Sequence, residues 1–128
     1  MSITELSLNN FITNVKYKEV TIIDVRTEDF NGGNIPNAIN IKSTNYQDIK
    51  KYVENIGTII IHCMYSQVRG AGVAKRLKKD YPNKNIILLN GGFNGYFNHF
   101  INKQNENIEN LDMKYWIFKN NKYKHIYD

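Results

Sequence analysis

The chain has 128 residues, 41% of them hydrophobic and 12% aromatic, with 17 basic and 12 acidic side chains for a net charge of +5. That length and composition suit one compact domain and exclude a disordered chain. A single cysteine excludes an intrachain disulfide, a CxxC redox motif and a thiolate metal centre.

A lone cysteine fits a reducing compartment. The start MSITELSLNNFITNV lacks the charged onset and apolar run of a signal peptide, and no stretch approaches the roughly 18 apolar residues that span a bilayer. A cytoplasmic protein without a membrane partner is expected, with the nucleus as the alternative. Net positive charge favours anionic partners. No zinc-finger spacing, RNA-recognition motif or Arg-rich arm points to nucleic acid.

In chain order, Ile3, Leu6, Leu8, Phe11, Ile12 and Val15 predict a helix over 3–15, with Ser2 as its cap. The β-branched run EVTIIDV, 19–25, predicts a buried strand. TEDFNGGNIPNA is rich in turn residues, and AINIK, 38–42, predicts a short second strand. Tyr46, Ile49, Val53 and Ile56 predict a helix within 43–56, capped by Ser43 or Thr44 and ended by Gly57. TIII, 58–61, reads as a central strand buried on both faces.

A loop over 62–68 leads into an amphipathic helix from Arg69 to Tyr81, stopped by Pro82. NIILL, 85–89, is another buried strand, and Gly91-Gly92 turns the chain into a helix carrying Phe93, Tyr96, Phe97, Phe100 and Ile101. QNENIEN reads as a polar linker, and the aromatic, basic tail is expected to pack through Trp116, Ile117 and Phe118. Alternating strands and helices predict an α/β fold with a mostly parallel sheet. The chain is read as a single domain over 1–128, with a core at about 15–103 and a C-terminal extension over 104–128.

The run HCMYSQVRG carries the chemistry. It lies where a strand ends and a basic helix begins, the place where parallel sheets bind ligands. The first amides of a helix lack acceptors and bind anions. Cysteines placed there beside arginine favour the thiolate, which is the nucleophile. Arg69 offers a planar fork for two oxygens of a tetrahedral anion. Cys63 and Arg69 are therefore the predicted catalytic pair, with Met64, Tyr65, Ser66, Gln67, Val68 and Gly70 as the substrate-binding loop and His62 supporting it. A lone cysteine elsewhere would be read as packing. Here strand, Cys, five residues, Arg and helix in order favour nucleophilic chemistry.

Three segments resemble the rhodanese superfamily in order: IIDVRTEDFNGGNIPNAINI, IIIHCMYSQVRGAGVAKRL and ILLNGGFNGYF. The resemblance implies a rhodanese-like α/β fold, a central mostly parallel five-stranded sheet flanked by helices. Sulfurtransferases of this superfamily usually carry Cys-x4-Arg. The cell-division-cycle dual-specificity phosphatases and eukaryotic arsenate reductases carry His-Cys-x5-Arg, the spacing of Cys63 and Arg69. The resemblance thus implies a phosphatase or arsenate reductase forming a Cys63 adduct with a tetrahedral oxyanion of a phosphate ester, arsenate or phosphoprotein. A rhodanese-type sulfurtransferase with a Cys63 persulfide is the alternative, and a non-catalytic phospho-ligand module a further one.

Asp24 and Arg26 match the family's Asp-x-Arg and are expected to brace the loop. Ala71 replaces its usual Pro, Asn34 its usual His, and Met64 and Val68 its loop acids, which leaves the proton donor open. Glu28 and Asp29 are candidate acids, with solvation as their ordinary role. No metal is implied. A phosphatase would need no cofactor, and an arsenate reductase with one cysteine would need an external thiol such as glutathione.

Overall fold

The computed structural model describes residues 3–15, 20–103 and 107–127. Five strands form one parallel sheet in the order β1-β5-β4-β2-β3: β1 Thr4–Leu6, β2 Thr21–Asp24, β3 Ile39–Asn40, β4 Thr58–His62 and β5 Asn85–Leu89. The helices are α1 Leu8–Asn14, α2 Tyr46–Val53, α3 Arg69–Asp80 and α4 Gly92–Phe100. A hairpin of β6 Trp116–Lys119 and β7 Lys122–His125 ends the chain.

Successive side chains of a strand point to opposite faces. Ile59 and Ile61 therefore join one apolar layer with Tyr46, Ile49 and Val53 of α2 and Val73, Ala74 and Leu77 of α3. Ile60 joins the opposite layer with Phe11 of α1 and Phe93, Tyr96 and Phe97 of α4. Burial on both faces explains why β2, β4 and β5 read as unbroken apolar runs.

The predicted N-terminal helix is corrected. Thr4–Leu6 forms the edge strand β1, in register with Ile87–Leu89, and the helix begins only at Leu8. Its cap is Ser7, whose Oγ accepts from the Asn10 amide at 3.2 Å; Ser2 lies outside the described residues, as does Glu19 of the predicted second strand. Pairing with a distant strand outweighed the local period, a long-range effect that periodicity does not carry. The cap of α2 is Asn45, without a side-chain hydrogen bond, rather than Ser43 or Thr44.

The tail also differs in detail. Trp116 is buried, stacked on Phe97 with ring centroids 3.7 Å apart, and its Nε1 donates to the Gly32 carbonyl at 3.1 Å. Ile117 and Phe118 are 43% and 63% exposed and do not anchor it. Asn120 and Asn121 both have positive φ, as the tight turn joining β6 to β7 requires. Asn98 of α4 holds the hairpin, accepting from the Tyr123 amide at 2.7 Å and donating to its carbonyl at 2.9 Å. Because Trp116 clamps both α4 and the Gly32 turn, Trp116→Ala should cost about 3–5 kcal/mol of unfolding free energy, measured by urea denaturation.

Candidate active site

β2 and β4 are neighbours in parallel, so the loops leaving their C-terminal ends meet. The loop after β4 starts at Cys63, 2% exposed, and runs to Arg69, the first residue of α3. The Ser66 and Gly70 amides each donate to Cys63 Sγ at 3.2 Å. Ser66 reaches this pose with φ of 58°, and its Oγ accepts from the Cys63 amide at 3.4 Å.

The loop is tied from behind by α4. The Phe93 amide donates to the Cys63 carbonyl at 3.0 Å and the Asn94 amide to the Met64 carbonyl at 2.8 Å. These are the donors that a helix start leaves without an intrahelical acceptor. Gly92, at φ of 58°, permits the approach: a Cβ there would sit 2.5 Å from the Met64 oxygen and 2.6 Å from the Cys63 oxygen. Gly70 is confined too, since its Cβ would lie 3.3 Å from Cys63 Sγ.

The predicted loop residues divide by direction. Met64 is fully buried among the α4 aromatics and serves the loop through its backbone. Gln67 is exposed, and Val68 is 80% exposed at the rim. Cys63, Tyr65, Gln67, Val68 and Arg69 enclose a cavity of about 170 Å³.

Arg69 is bound to the loop after β2. Its Nη1 donates to Asp29 Oδ1 at 2.6 Å and Thr27 Oγ1 at 3.1 Å, and its Nη2 to Asp29 Oδ2 at 2.6 Å. Guanidinium carries five N–H donors in a plane. The two without an acceptor among the described residues, Nε–H and one Nη2–H, share the other edge of the fork. Burial pushes the Asp29 carboxyl up, but hydrogen bonds and charge from Arg69 outweigh it and hold the group below its ordinary value. Asp29 is therefore an ionised partner of Arg69 rather than a solvated acid. Glu28 does stay in solvent, with its side chain 92% exposed.

Asp24 and Arg26 lie beneath this loop, both fully buried. Arg26 Nη2 donates to Asp24 Oδ2 at 2.7 Å and to the Gly33 carbonyl at 2.8 Å, and its guanidinium carbon sits 4.4 Å from the Phe93 ring centroid. The pair thus fastens the 27–33 segment that carries Asp29, and it does not reach Cys63. His62 is also fully buried. Nδ1 lies 3.1 Å from the Cys63 carbonyl, which assigns the proton to Nδ1. Among the described residues Nε2 has no hydrogen-bond partner, and Asp24 Oδ2 is 3.8 Å away. Burial holds the ring below its ordinary pKa, so the contact is not an ion pair. Among the described residues, no three His, Cys, Asp or Glu are placed to hold a metal.

The sequence reading missed two determinants. The role of Asp29 follows from its place after β2, since loops at the same end of adjacent parallel strands converge. Gly92 was read as a turn, and nothing local in the sequence shows how closely it packs against the loop carbonyls.

Two outcomes follow from this geometry. Gly92→Ala should displace the Cys63 loop while far-ultraviolet circular dichroism keeps its helical signal, and amide exchange at Phe93 and Asn94 should accelerate. The depressed His62 pKa means the unfolded chain binds the extra proton as pH falls below about 6.5. Melting temperature should therefore fall with acidification below that point more steeply in the native protein than in His62→Gln.

Residues 7–99 match the rhodanese-like domain family. The chain is 39% identical over 89 residues to the dual specificity phosphatase Cdc25 of Arabidopsis thaliana, covering 60% of this chain and 61% of that one. It is 36% identical over 70 residues to the dual specificity phosphatase ibp1 of Schizosaccharomyces pombe, covering 52% and 51%. The matches thus span between half and two-thirds of these relatives. Among solved structures, the fold is similar to Ygr203w, a yeast protein tyrosine phosphatase of the rhodanese family, with TM-score 0.67 and 18% identity over 89% of this chain and 97% of that one. It is likewise similar to the As-Sb reductase of Leishmania major, with TM-score 0.66 and 19% identity over 99% and 95%. Sheet order, loop placement and the match over most of its length together establish that the chain belongs to the rhodanese-like domain family.

Proposed function

We propose that this protein is a cysteine-dependent phosphatase in which Cys63 is the nucleophile and Arg69 the oxyanion clamp. The observation that carries this reading is the seven-residue loop from Cys63 to Arg69, whose Ser66 and Gly70 amides converge on the Cys63 sulfur. A phosphoryl group seated above that sulfur meets fixed N–H dipoles and the free Nε/Nη2 edge of Arg69. Charge stabilisation of this kind is the main demand of phosphoryl transfer.

In the first step the Cys63 thiolate forms an S–P bond as the ester P–O bond breaks, and the leaving oxygen departs as its anion, which takes a proton from solvent. In the second, water attacks phosphorus, the S–P bond breaks, and phosphate departs with the thiolate restored. The two aspartates at and after the end of β2 are committed elsewhere, Asp29 to Arg69 and Asp24 to Arg26. Leaving groups that depart without a proton, such as nitrophenolate, should therefore be turned over best.

A second reading, arsenate reduction, draws support from the As-Sb reductase likeness. Arsenate is also tetrahedral and fits the same donors. One cysteine in the chain leaves its two-electron reduction to an external thiol, two glutathiones giving one disulfide.

The test is hydrolysis of p-nitrophenyl phosphate beside glutathione-coupled arsenate reduction. Cys63→Ser should reduce the active assay to the buffer rate. Asp29→Asn, which keeps shape but releases Arg69, should lower kcat/KM by about 10²-fold, the scale of a misplaced catalytic group. Cys63-dependent thiocyanate release from thiosulfate and cyanide, with neither other activity, would replace this reading with sulfur transfer.

A further inference from the structure

A second, larger cavity adjoins the cysteine site. It holds about 720 Å³ and shares Tyr65 and Gln67 with the small cavity over Cys63. It runs along α3 and past the end of β5 to the start of α4. Leu88 of β5 and Ile3 at the sheet edge form its floor, Ala71 and Lys75 one wall, and Asn90, Asn94 and Gly95 the other end. Glu5 projects from β1 into it.

Its lining differs from that of an anion site. An anion site presents donors alone, whereas this groove joins an apolar floor to amide side chains that both donate and accept. It also carries one cation and one anion, Lys75 and Glu5, and neither has an ion-pair partner among the described residues. Ligand clefts combine an apolar surface with a few convergent polar groups in this way, in volumes of about 300–1,000 Å³. A polypeptide has the matching chemistry: backbone donors and acceptors at regular intervals, apolar side chains, and charges at chosen positions.

We propose that this groove binds the residues flanking the esterified side chain of a phosphorylated polypeptide, and that Lys75 selects an acidic residue about three positions away. The spacing follows from geometry. Arg69 and Lys75 are six residues apart on one helix, about 9 Å of rise along its axis at 1.5 Å per residue, with their side chains on different sides of it. An extended peptide covers that distance in about three residues at roughly 3.3 Å each. The inference rests on the phosphatase reading for its catalytic half and on the groove alone for its binding half.

The test uses two phosphotyrosine nonapeptides of neutral sequence, one with Asp and one with Lys three residues to either side, together with p-nitrophenyl phosphate. The native protein should show kcat/KM about fivefold higher for the Asp peptide, the scale of one exposed ion pair. Lys75→Glu should reverse that preference and leave p-nitrophenyl phosphate hydrolysis within twofold, since Lys75 is exposed and stands outside the Cys63 cavity. Equal use of both peptides by the native protein overturns the proposal, as does a Lys75→Glu variant that loses aryl phosphate and peptide hydrolysis alike. If nothing is hydrolysed, binding of the same fluorescein-labelled peptides to Cys63→Ser separates the two readings. A charge preference that depends on Lys75 retains the groove and rejects the phosphatase, and its absence rejects the groove.

Discussion

Two backbone hydrogen bonds hold the start of the loop from Cys63 to Arg69. The carbonyls of Cys63 and Met64 are taken by the first free amides of α4. With the first turn of the loop held there, the chain folds back so that the Ser66 and Gly70 amides, further along, reach the Cys63 sulfur. The glycine pair before Phe93 makes that arrangement sterically feasible, because any side chain at Gly92 would occupy the space of the two carbonyl oxygens. Cys63 is thus positioned by an element that begins nearly thirty residues later in the chain.

The second support runs through charge. Asp24 and Arg26 form a buried pair, costly in desolvation and retained only where its geometry is well satisfied. Arg26 satisfies it by also binding the Gly33 carbonyl and lying on Phe93. That fixes the segment carrying Asp29, and Asp29 fixes Arg69. Trp116 of the hairpin reaches the same segment from outside through Gly32. Core, turn and hairpin therefore converge on one guanidinium.

Much of this was legible in the sequence. The unbroken apolar runs at 58–61 and 85–89 mark strands buried on both faces, and the order of strand, Cys63, loop, Arg69 and helix marks the site. What the sequence concealed is long-range. Thr4–Leu6 looks helical by spacing and is a strand because β5 offers it a partner. Ile117 and Phe118 look like anchors by hydrophobicity, but β6 faces Trp116 inward and leaves them half in solvent. Asn120-Asn121, a turn signal of known type, could have revealed the hairpin. Asp29 is a polar residue among polar residues until β2 and β4 are laid side by side.

The edge strand has a temporal consequence. Thr4 pairs with Ile87, far along the chain, so β1 can take its place only once β5 is there to receive it. Closing so long a loop is entropically slow, and contacts of this range form late. A three-residue strand held on one side only also belongs to the least protected part of a native state. Ile3 and Glu5 thus lie on the part of the groove held by a single strand pairing. A peptide resting on them would tie the earliest residues of the chain to some of the latest.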